Sequence, residues 1–392
     1  MVSQDMKMCV SWAEIDLEAL AANVRAFRRH CGEKVEIIAV VKANAYGHGA
    51  ELISRAALAA GADSLAVHRW QEGAELRLAG IEAPILIMGY SSLAAAGEMA
   101  ALGLTPTVTT LEFAEAFAEA FAGGARAAKP ASEAAPVHVK LDTGMGRHGL
   151  LLDEVADFIA ALKEVSGLRV EGLFTHFAAA DDRGLTHARK QLENFNRACT
   201  ELKRRGLLPP IRHCCNSAGA MVLPEAHFEA VRPGLSLYGM NPFDYGPPPL
   251  PLRPVLTLKS RVVRLRTLPA GSPIGYGCTY VTPEAMRVAL VPVGYGDGYH
   301  RLLTHRAQVL VGGRRAAVLG RVSMDQIVVD VNHIPEVKME DEVVLIGSQG
   351  KETISAEEVA TWAQTINYEV TTSLLPRLPR LPRLPRGTGN GA

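Results

Sequence analysis

Short apolar runs alternate with longer stretches of helical periodicity over the first part of the chain. The runs are rich in β-branched residues and predict eight strands: Ile37–Asn44, Ser64–Arg69, Pro84–Gly89, Thr105–Thr110, Val137–Asp142, Val170–Phe177, Ile211–Ser217 and Ala230–Gly239. The stretches between them predict helices: Asp16–His30, Ala50–Ala60, Trp70–Ala79, Leu93–Leu102, Leu111–Phe121, Glu154–Val165 and Ala188–Arg205. Strands that alternate with helices pair in parallel, because parallel strands need long crossover connections. Eight such repeats predict a (β/α)8 barrel of the TIM type.

An open, doubly wound sheet is the alternative arrangement of these elements. It would carry a glycine fingerprint directly after the first strand, whereas the sequence there is KANAYG, residues 42–47. The barrel is therefore the favoured fold class. The Ala-, Gly- and Pro-rich stretch Gly123–Pro136 is interpreted as a surface loop before the fifth strand.

The pattern changes after Tyr238. Asn241–Pro254 contains six prolines and predicts a linker, because proline fits neither a helix interior nor a central strand. Short β-rich runs then follow one another and predict a smaller, mostly β C-terminal domain: Thr257–Leu265, Arg287–Val293, Gln308–Val311, Arg314–Val318, Gln326–Val331 and Glu342–Leu345. One helix, Ser355–Gln364, opens with a capping box formed by Ser355 and Glu358.

These patterns divide the chain into three parts. Residues 12–243 are the predicted barrel, and residues 244–374 are the predicted β domain, which we expect the N-terminal strand, residues 1–11, to join. Residues 375–392 form a tail that begins with Leu-Pro-Arg repeated four times. Proline at every third position excludes a helix and predicts an extended, disordered tail.

The composition narrows the range of functions. The 392 residues contain 41 Lys and Arg and 41 Asp and Glu, so no basic field attracts nucleic acid. No apolar run reaches the length of a membrane span, and the first ten residues lack a signal-peptide core. The six cysteines include no Cys-x-x-Cys pair, which predicts reduced thiols. We therefore expect a cytoplasmic protein that binds neither nucleic acid nor membrane.

Polar side chains follow several of the predicted barrel strands. Lys42 directly follows the apolar run Ile37–Val41, although lysine is almost never fully buried without a partner. His176 ends the sixth strand, Asn216 and Ser217 end the seventh, Arg232 lies in the eighth, and the Gly-rich segment Asp142–Arg147 follows the fifth. In barrels of this type, catalytic groups lie at the carboxyl ends of the strands.

Each of these residues also has a structural interpretation. Position alone does not separate a salt-bridged Lys42 from a desolvated amine whose lowered pKa allows Schiff-base formation. A lone histidine such as His176 is more often a core residue. Together, however, the residues describe a cationic pocket for a phosphorylated ring, with Ser217 and the Gly234 backbone placed to bind phosphate. No metal site is predicted.

The segment around Lys42 is also similar to that of a known family. Residues 41–49, VKANAYGHG, resemble the pyridoxal-attachment signature of alanine racemases, and the similarity extends from WAEID at residue 12 to NYE at residue 367. Further similar segments are residues 140–147 (KLDTGMGR), 216–217 (NS), 232–234 (RPG), 276–280 (YGCTY), 294–298 (GYGDG) and 320–325 (GRVSMD). The resemblance implies that L-alanine and D-alanine are interconverted by two-base proton transfer at Cα on a pyridoxal 5'-phosphate aldimine. The D-alanine would supply peptidoglycan for the cell wall.

The resemblance further implies a role for each matching residue. Lys42 would hold the cofactor and act as one base, and Tyr276 would be the second base. Arg232 would face the pyridine nitrogen, and His176 would lie near the ring and bond Arg232. The other implied cofactor contacts are Tyr46, Arg147, Asn216, Ser217 and Gly234; the implied substrate contacts are Arg147, Tyr295, Met324 and Asp325. Lys140 is commonly carbamylated in this family and would brace Arg147.

The resemblance also implies a homodimer. In the family, the residues corresponding to Lys42 and Tyr276 meet across a head-to-tail dimer, so each site would take Tyr276, Tyr295, Met324 and Asp325 from the second chain. One feature departs from the family: the tyrosine that many members carry after the Tyr-Glu-Val segment is absent from residues 371–376, TTSLLP. The Leu-Pro-Arg repeat that follows is a second expected departure. Both leave the cofactor affinity open.

Other functions stay open from the residues alone. A racemase of broader substrate range would share every motif. A decarboxylase of basic amino acids would need acidic residues in a larger pocket, and the signature around Lys42 opposes it. A non-catalytic pyridoxal phosphate carrier would lack the β domain that contains Tyr276, and a cofactor-free Schiff-base aldolase would lack the phosphate residues.

Overall fold

The computed structural model describes residues 8–123 and 134–383. Most of the predicted loop Gly123–Pro136, the first seven residues of the predicted N-terminal strand and the last nine residues of the predicted tail lie outside these ranges. The described chain forms two compact units. Residues 20–45 and 50–253 make the first unit, and the second contains residues up to Ala19, Tyr46–Gly49 and the chain from Pro254 onward.

The first unit is a closed barrel of eight parallel strands. With strands numbered along the chain from β1 (Ser11–Ile15), which belongs to the second unit, the barrel strands are β2 (Glu36–Val40), β3 (Ser64–Val67), β4 (Ile85–Ile87), β5 (Thr105–Val108), β6 (Ala135–Lys140), β7 (Leu168–Phe174), β8 (Ile211–His213) and β9 (Ala230–Val231). Each strand pairs in parallel with the next, and β9 closes on β2 through the Glu36–Ala230 pair. The predicted (β/α)8 barrel and smaller β domain are confirmed.

Helices connect the barrel strands, as the periodicity predicts. They are α1 (Leu17–Cys31), α2 (Ala50–Ala59), α3 (Trp70–Leu78), α4 (Ala96–Ala101), α5 (Leu111–Gly123), α6 (Val155–Lys163), α7 (Thr186–Arg204) and α8 (Ser217–Val222), with 3-10 turns at Leu93–Ala95, Pro224–Ala226 and Leu235–Tyr238. The apolar stripe of α1 is buried at Leu20, Val24 and Phe27, which lie one turn apart on one face. Phe113 and Phe117 stack at a ring distance of 6.1 Å on the buried face of α5. The helices therefore cover strands that are themselves buried runs, the usual state of parallel sheets.

The first predicted strand, Ile37–Asn44, is wrong beyond Val40. The chain leaves the sheet after Val41, and Ala43, Asn44, Ala45 and Tyr46 all adopt positive φ angles of 52–53°. This is a turn of left-handed helix, a conformation that side chains with a Cβ disfavour. A strand pattern cannot reveal it, because polarity along a sequence carries no information about the sign of φ.

The second unit is built around a β-sheet. Its strands besides β1 are β10 (Leu256–Arg261), β11 (Arg264–Leu268), β12 (Pro273–Ile274), β13 (Tyr280–Val281), β14 (Met286–Val291), β15 (Gln308–Val311), β16 (Arg314–Leu319), β17 (Ile327–Asp330), β18 (Glu342–Gln349), β19 (Glu352–Ile354) and β20 (Arg380–Pro382). The sheet order is β11-β14-β17-β16-β15-β18-β10-β1-β20, β19 pairs with β18, and β12 and β13 form a separate hairpin. The linker Asn241–Pro254 contains neither helix nor strand, as expected.

The predicted strand Thr257–Leu265 is two strands. Its middle residues bond in different directions: Val262 donates its N–H to the Asp341 carbonyl, whereas Val263 donates to the Leu290 carbonyl. The chain thus passes from one partner strand to another, and β10 and β11 lie at separate places in the sheet. The predicted helix over residues 355–364 is present as α9 (Ala356–Ala363), followed by α10 (Asn367–Thr372), and Ser355 Oγ accepts a hydrogen bond from Glu358 N.

The N-terminal strand β1 lies between β10 and β20. Ser11 to Ile15 pair antiparallel with Ser260 to Leu256, and Ala13 to Ile15 pair in parallel with β20. The two units therefore differ from the predicted limits 12–243 and 244–374 in three places, one of which is residues 244–253, which group with the barrel unit. Residues 12–19 and 46–49 group with the β-sheet unit, although they precede the barrel or interrupt it in sequence.

The expectation of disorder from Leu375 onward is corrected for residues 375–383. In this segment the arginine at the end of each triplet has fixed partners: Arg377 pairs with Asp297 at 2.6 Å, Arg380 donates to the Gly47 carbonyl at 2.9 Å, and Arg383 pairs with Asp16 at 2.8 Å. Composition alone indicates an unpacked segment, yet each guanidinium offers several donors that these acceptors satisfy. Within the described residues, no helix combines the length and apolar composition that crossing a bilayer requires.

Candidate active site

Lys42 lies at the carboxyl end of β2, where the barrel prediction places it. Burial lowers the pKa of its amine, and the nearby charges of Arg147 and Arg232 lower that pKa further, against the opposing effect of Glu72. These effects disfavour the ammonium form and favour the neutral amine, which is the nucleophilic form. The site thus provides the chemistry that Schiff-base formation needs.

The left-handed turn after Lys42 is held by two side chains. Asn44 Oδ1 accepts a hydrogen bond from Ala50 N at 2.7 Å, and Glu72 Oε1 accepts one from Ala43 N at 2.5 Å. The other oxygen of Glu72 accepts from the N–H groups of His68 and Arg69. Each residue in this conformation costs about 1–2 kcal/mol, so the turn persists because surrounding contacts fix it. Sequence reasoning missed Glu72.

Tyr46 and Gly47, which continue the signature, belong to the β-sheet unit. The Tyr46 ring is buried and lies 6.3 Å from the Tyr368 ring, and burial raises the pKa of its hydroxyl. Gly47 has a φ of 85°, and a Cβ there would lie 1.9 Å from the Thr371 carbonyl oxygen. Only glycine fits this approach, which explains the glycine in the signature.

Arg147 ends a turn that one carboxylate organises. The two oxygens of Asp142 accept hydrogen bonds from the N–H groups of four residues, Gly144, Met145, Gly146 and Arg147, at 2.9–3.1 Å. Burial acts against the charge of Asp142, but these four donors outweigh it and lower the pKa of the carboxyl group. The adjacent Lys140 is buried, and burial together with the Arg147 charge lowers its pKa to about 8.

Arg232 is the most fixed group of the site. It is 2% exposed and donates to His213 Nδ1 at 2.6 Å, to the carbonyls of Thr175 and His213 at 2.6 and 2.7 Å, and to the Cys214 carbonyl at 3.3 Å. Burial lowers its pKa to about 10, so the guanidinium stays charged at neutral pH. Its Nη2 lies 3.4 Å from His176 Nδ1, the contact that the resemblance implied. Burial and the Arg232 charge hold the pKa of His176 well below its usual range, which makes this imidazole neutral.

The predicted phosphate residues lie side by side. Ser217 Oγ accepts hydrogen bonds from Gly234 N at 2.9 Å and from Ser236 N at 3.2 Å. Asn216 caps α8, because its Oδ1 accepts from Gly219 N at 2.9 Å. The structure therefore brings Ser217 and Gly234 together, although 17 residues separate them in sequence.

The remaining predicted residues lie on loops of the β-sheet unit. Tyr276 stands between Gly275 and Gly277, whose φ angles are 73° and 72°. Tyr295 opens a 3-10 turn at Tyr295–Asp297, and Tyr295 N donates to the Ser323 carbonyl at 3.1 Å. Further 3-10 turns lie at Tyr276–Cys278 and Arg301–Leu303. Arg377 connects the Tyr295–Asp297 turn to the loop that contains Met324 and Asp325, because it donates to Asp297 at 2.6 Å and to Asp325 at 2.8 Å. Tyr295, Met324 and Asp325 thus form one connected group.

The barrel site is rich in cations. Besides burial, the charges of Arg147 and Arg232 lower the pKa of both Lys42 and Lys140. Glu72 opposes this effect at Lys42, and Asp142 opposes it at Lys140. The Nε2 atom of His148, beside this group, is buried without a hydrogen-bond partner among the described residues. Such a donor set fits an anionic ligand that also carries an electrophilic carbon, with which the amine of Lys42 can react. The described residues contain no cluster of three or more His, Cys, Asp or Glu arranged for a metal ion.

Sequence reasoning missed His213 and Phe174. The Phe174 ring stacks on the His213 ring at 4.8 Å with an interplanar angle of 7°. The guanidinium carbon of Arg232 lies 5.1 Å from the centre of the Phe174 ring. A histidine inside the predicted strand Ile211–Ser217 was the available signal. Its partners could not be inferred, because they come from other strands of the barrel.

Comparison with known proteins identifies the relatives of this chain. Residues 15–242 match the family model of the alanine racemase N-terminal domain, and residues 255–382 match that of the alanine racemase C-terminal domain. The alanine racemase of Desulforamulus reducens is 47% identical over 364 residues, 92% of this chain and 95% of that protein. That of Symbiobacterium thermophilum is 45% identical over 368 residues, 94% and 96% of the two chains.

Solved structures give the same picture. Alanine racemase from Bacillus anthracis, with bound L-Ala-P, superposes with a TM-score of 0.86 at 37% identity and covers 93% of each chain. The enzyme from Streptomyces coelicolor A3(2) gives a TM-score of 0.86 at 36% identity, over 96% of this chain and 99% of that one. The C-terminal family model extends to residue 382, so the matched region includes most of the described part of the Leu-Pro-Arg repeat.

Proposed function

The chain belongs to the alanine racemase family, and on that premise we propose that Lys42 and Tyr276 are the two bases of its reaction. The protein is an enzyme that interconverts L-alanine and D-alanine with pyridoxal 5'-phosphate as cofactor. Removing the Cα proton from one face and returning a proton to the other requires a group on each side. The observation that carries the proposal is the lowered pKa of Lys42 at the carboxyl end of β2.

The cofactor is assigned to the cationic end of the barrel. Lys42 would bond its aldehyde carbon, Arg232 would face its ring nitrogen, and His176 would lie near the ring. Its phosphate is assigned to Ser217, Gly234 and Tyr46, with Asn216 beside them and Arg147 at the phenolate oxygen. When bound, pyridoxal phosphate withdraws electrons from the Cα–H bond of the substrate and makes that proton acidic.

Lys42 and Arg232 contribute in different ways. The lowered pKa of Lys42 increases the fraction of its amine that is neutral, and in that form Nζ can accept the Cα proton from one face. Arg232 has donors and no acceptor, so a ring nitrogen that faces it stays unprotonated. Arg232 would thereby make the bound cofactor a weaker electron sink and limit side reactions such as transamination. The hydrogen bonds of Arg232 hold the guanidinium in one orientation.

Arg147 and Lys140 are assigned to the substrate side of the barrel. The Asp142 turn fixes the backbone at Arg147, whose guanidinium would bind the substrate carboxylate. Lys140, with a pKa of about 8, has a substantial neutral fraction near neutral pH, and a neutral amine is the form that reacts with carbon dioxide. We propose that Lys140 is carbamylated and that the added carboxylate braces Arg147.

We further propose that the active enzyme is a homodimer with shared sites. The side chains of Tyr276, Tyr295 and Met324 are 70%, 40% and 53% exposed in the single chain. Large apolar side chains that are exposed in a single chain are typical of a surface that a second molecule covers. Each site would combine Lys42 of one chain with Tyr276, Tyr295, Met324 and Asp325 of the other.

Mixing two inactive variants tests the shared site. Lys42→Ala and Tyr276→Phe homodimers should each lose at least a hundredfold in kcat, because each lacks one base. After dissociation and random reassociation, half of the dimers are mixed, and one of the two sites in each mixed dimer contains both bases. Activity should therefore return to about one quarter of the wild-type value.

The control is the same treatment applied to each variant alone, which should restore nothing. Sites built within one chain would leave the mixture inactive, which would refute the shared site. If Tyr276→Phe alone kept wild-type activity, the assignment of the second base would be wrong. A strict preference for alanine can be checked on the same samples with serine, lysine and arginine as substrates.

The cellular role is proposed on chemical grounds. We propose that the D-alanine supplies peptidoglycan and that the enzyme works in the cytoplasm. All six cysteines, Cys9, Cys31, Cys199, Cys214, Cys215 and Cys278, are free thiols, which is typical of a reducing compartment.

A further inference from the structure

A row of side chains extends from Arg232 into the barrel. Arg232 Nη1 lies 2.6 Å from His213 Nδ1, and His213 Nε2 lies 2.8 Å from His138 Nδ1. The other nitrogen of His138, Nε2, lies 3.8 Å from Glu171 Oε2, which is longer than a hydrogen bond but close enough for the carboxylate charge to act on it. Arg169 closes the row at 2.8 Å from Glu171. The mechanism above uses Arg232 alone.

The positions of the protons in this row follow from its first member. Arginine has no acceptor, so His213 Nδ1 must accept from Arg232 and carries no proton. The proton of His213 is therefore on Nε2, which donates it to His138 Nδ1. That leaves the proton of His138 on Nε2, which faces the Glu171 carboxylate. Both histidines are thus in the Nε2–H form, and each hydrogen bond that they make in this row pairs a donor with an acceptor.

The barrel makes room for this row. The register of β6 against β7 shifts between Val137 and His138, and such irregularities re-aim a side chain. Opposite His138 stands Gly172, where a Cβ would lie 2.4 Å from the His138 ring. Phe174 stacks on His213 at 4.8 Å and prevents its ring from tilting. The register shift at His138, the missing side chain at Gly172 and the stacked ring of Phe174 therefore together accommodate the two imidazoles.

Burial makes the donor–acceptor order important. His213 and His138 are buried, and a buried polar atom without a partner costs about 1–3 kcal/mol. If His213 carried its proton on Nδ1, two donors would face each other at the Arg232 contact. The guanidinium would then have to move away from His213, whose carbonyl oxygen also binds it.

We propose that His138 and Glu171 are positioning residues that hold His213 in its Nε2–H form and thereby fix Arg232 at the cofactor ring. Neither residue is assigned a contact with substrate or cofactor. His138 supplies the acceptor for His213, and Glu171 favours the His138 form that has this acceptor free. The proton positions concern the protein alone, and only the catalytic consequence depends on the proposed role of Arg232.

The test compares two substitutions of His138. His138→Leu removes the acceptor, whereas His138→Asn keeps an oxygen near the place of Nδ1. In the holoenzyme labelled with 15N-histidine, the His213 signals should show an unprotonated Nδ1 and a protonated Nε2 in wild type and in His138→Asn. In His138→Leu the two nitrogens should give averaged or exchanged signals, and kcat should fall by roughly tenfold to a hundredfold with little change in KM. His138→Asn should recover most of that loss.

Two further variants keep the test decisive if His138→Leu does not fold. Glu171→Gln should shift the His138 signals toward a mixture of forms and lower kcat by a few-fold. Gly172→Ala should displace the His138 ring and also lower kcat. A His213 that stays in the Nε2–H form in every folded variant would overturn the proposal. The expected NMR change without any change in kcat would leave the row intact and refute the role assigned to Arg232.

Discussion

The two halves of the assigned site are built in opposite ways. At the barrel, Arg232 is 2% exposed and bonded on several sides by carbonyls and by His213. On the β-sheet unit, Tyr276 is 70% exposed on a short loop between two glycines with positive φ angles. One half is completed inside a single fold unit, whereas the other presents its functional side chains outward.

The difference follows from what each group must do. A cation that faces a ring must be desolvated to act strongly, and a buried guanidinium is stable only when its donors are satisfied. A side chain that completes a site on another surface must instead stay exposed until that surface covers it. In the proposed dimer, the barrel half would therefore be fixed before assembly, and the other half would become fixed through it.

The largest effect in this comparison should come from the buried amine of Lys140. Its pKa is about 8 in the folded protein and about 10.4 when unfolded. Below pH 8 both states hold the proton, so stability does not depend on pH through this group. Between pH 8 and 10.4 the unfolded state binds more protons, so the free energy of unfolding rises, by on the order of 3 kcal/mol.

Urea unfolding from pH 7 to pH 10.5 measures this rise as the difference in free energy of unfolding between wild type and Lys140→Met. The contributions of the other titrating groups cancel in this difference. In buffer free of carbon dioxide, the free energy of unfolding of wild type should increase relative to that of the variant as pH increases. With bicarbonate present, a carbamylated Lys140 no longer titrates in this range, and the two profiles should run parallel. Parallel profiles in both buffers would show that no free buried amine exists at this position.

A smaller effect is expected on the exposed half, where the Arg377 side chain bonds to two loops. Arg377→Gln should loosen the connection between the Tyr295 turn and the loop of Met324 and Asp325, because both Asp297 and Asp325 lose their shared partner. KM for alanine should increase by about three- to tenfold, with a smaller change in kcat. Steady-state kinetics with L-alanine and with D-alanine as substrate measure both KM and kcat.

The Leu-Pro-Arg repeat offers a matched control. Arg383→Gln removes the same charge from the same sequence context, but its partners Glu14 and Asp16 lie at β1 and the start of α1. This variant should leave KM unchanged. Equal increases in KM for both variants would mean that Arg377 acts only by holding the C-terminal segment in place.

The smallest effect should appear at the strained turn. Ala43 is exposed and has a φ of 53°, so Ala43→Gly should relieve strain and stabilise the protein by about 1 kcal/mol or less, after the entropy cost of glycine in the unfolded chain. Ala43→Val should destabilise it, because a β-branched residue fits this conformation worse. Thermal unfolding of the pair gives the difference. A more stable Ala43→Val would contradict the left-handed conformation.

Much of the fold could be predicted from sequence periodicity. The eight barrel strands, the connecting helices and Lys42 at the end of β2 follow from local patterns, since buried parallel strands are apolar runs and amphipathic helices repeat every 3.6 residues. The same reasoning failed at residues 43–46, because backbone handedness leaves no trace in polarity. It also failed at residues 375–383, where composition suggested disorder and tertiary partners impose order.

By itself, the sequence determined the family, the fold class and the residue types of the site. The tertiary structure decided which groups restrain one another: Glu72 at the Lys42 turn, His213 and Phe174 at Arg232, and Arg380 at Gly47. The physical reason is that propensity and amphipathicity act over a few residues. Hydrogen bonds made by side chains, by contrast, join positions as far apart as Arg380 and the Gly47 carbonyl, which only the folded chain brings together.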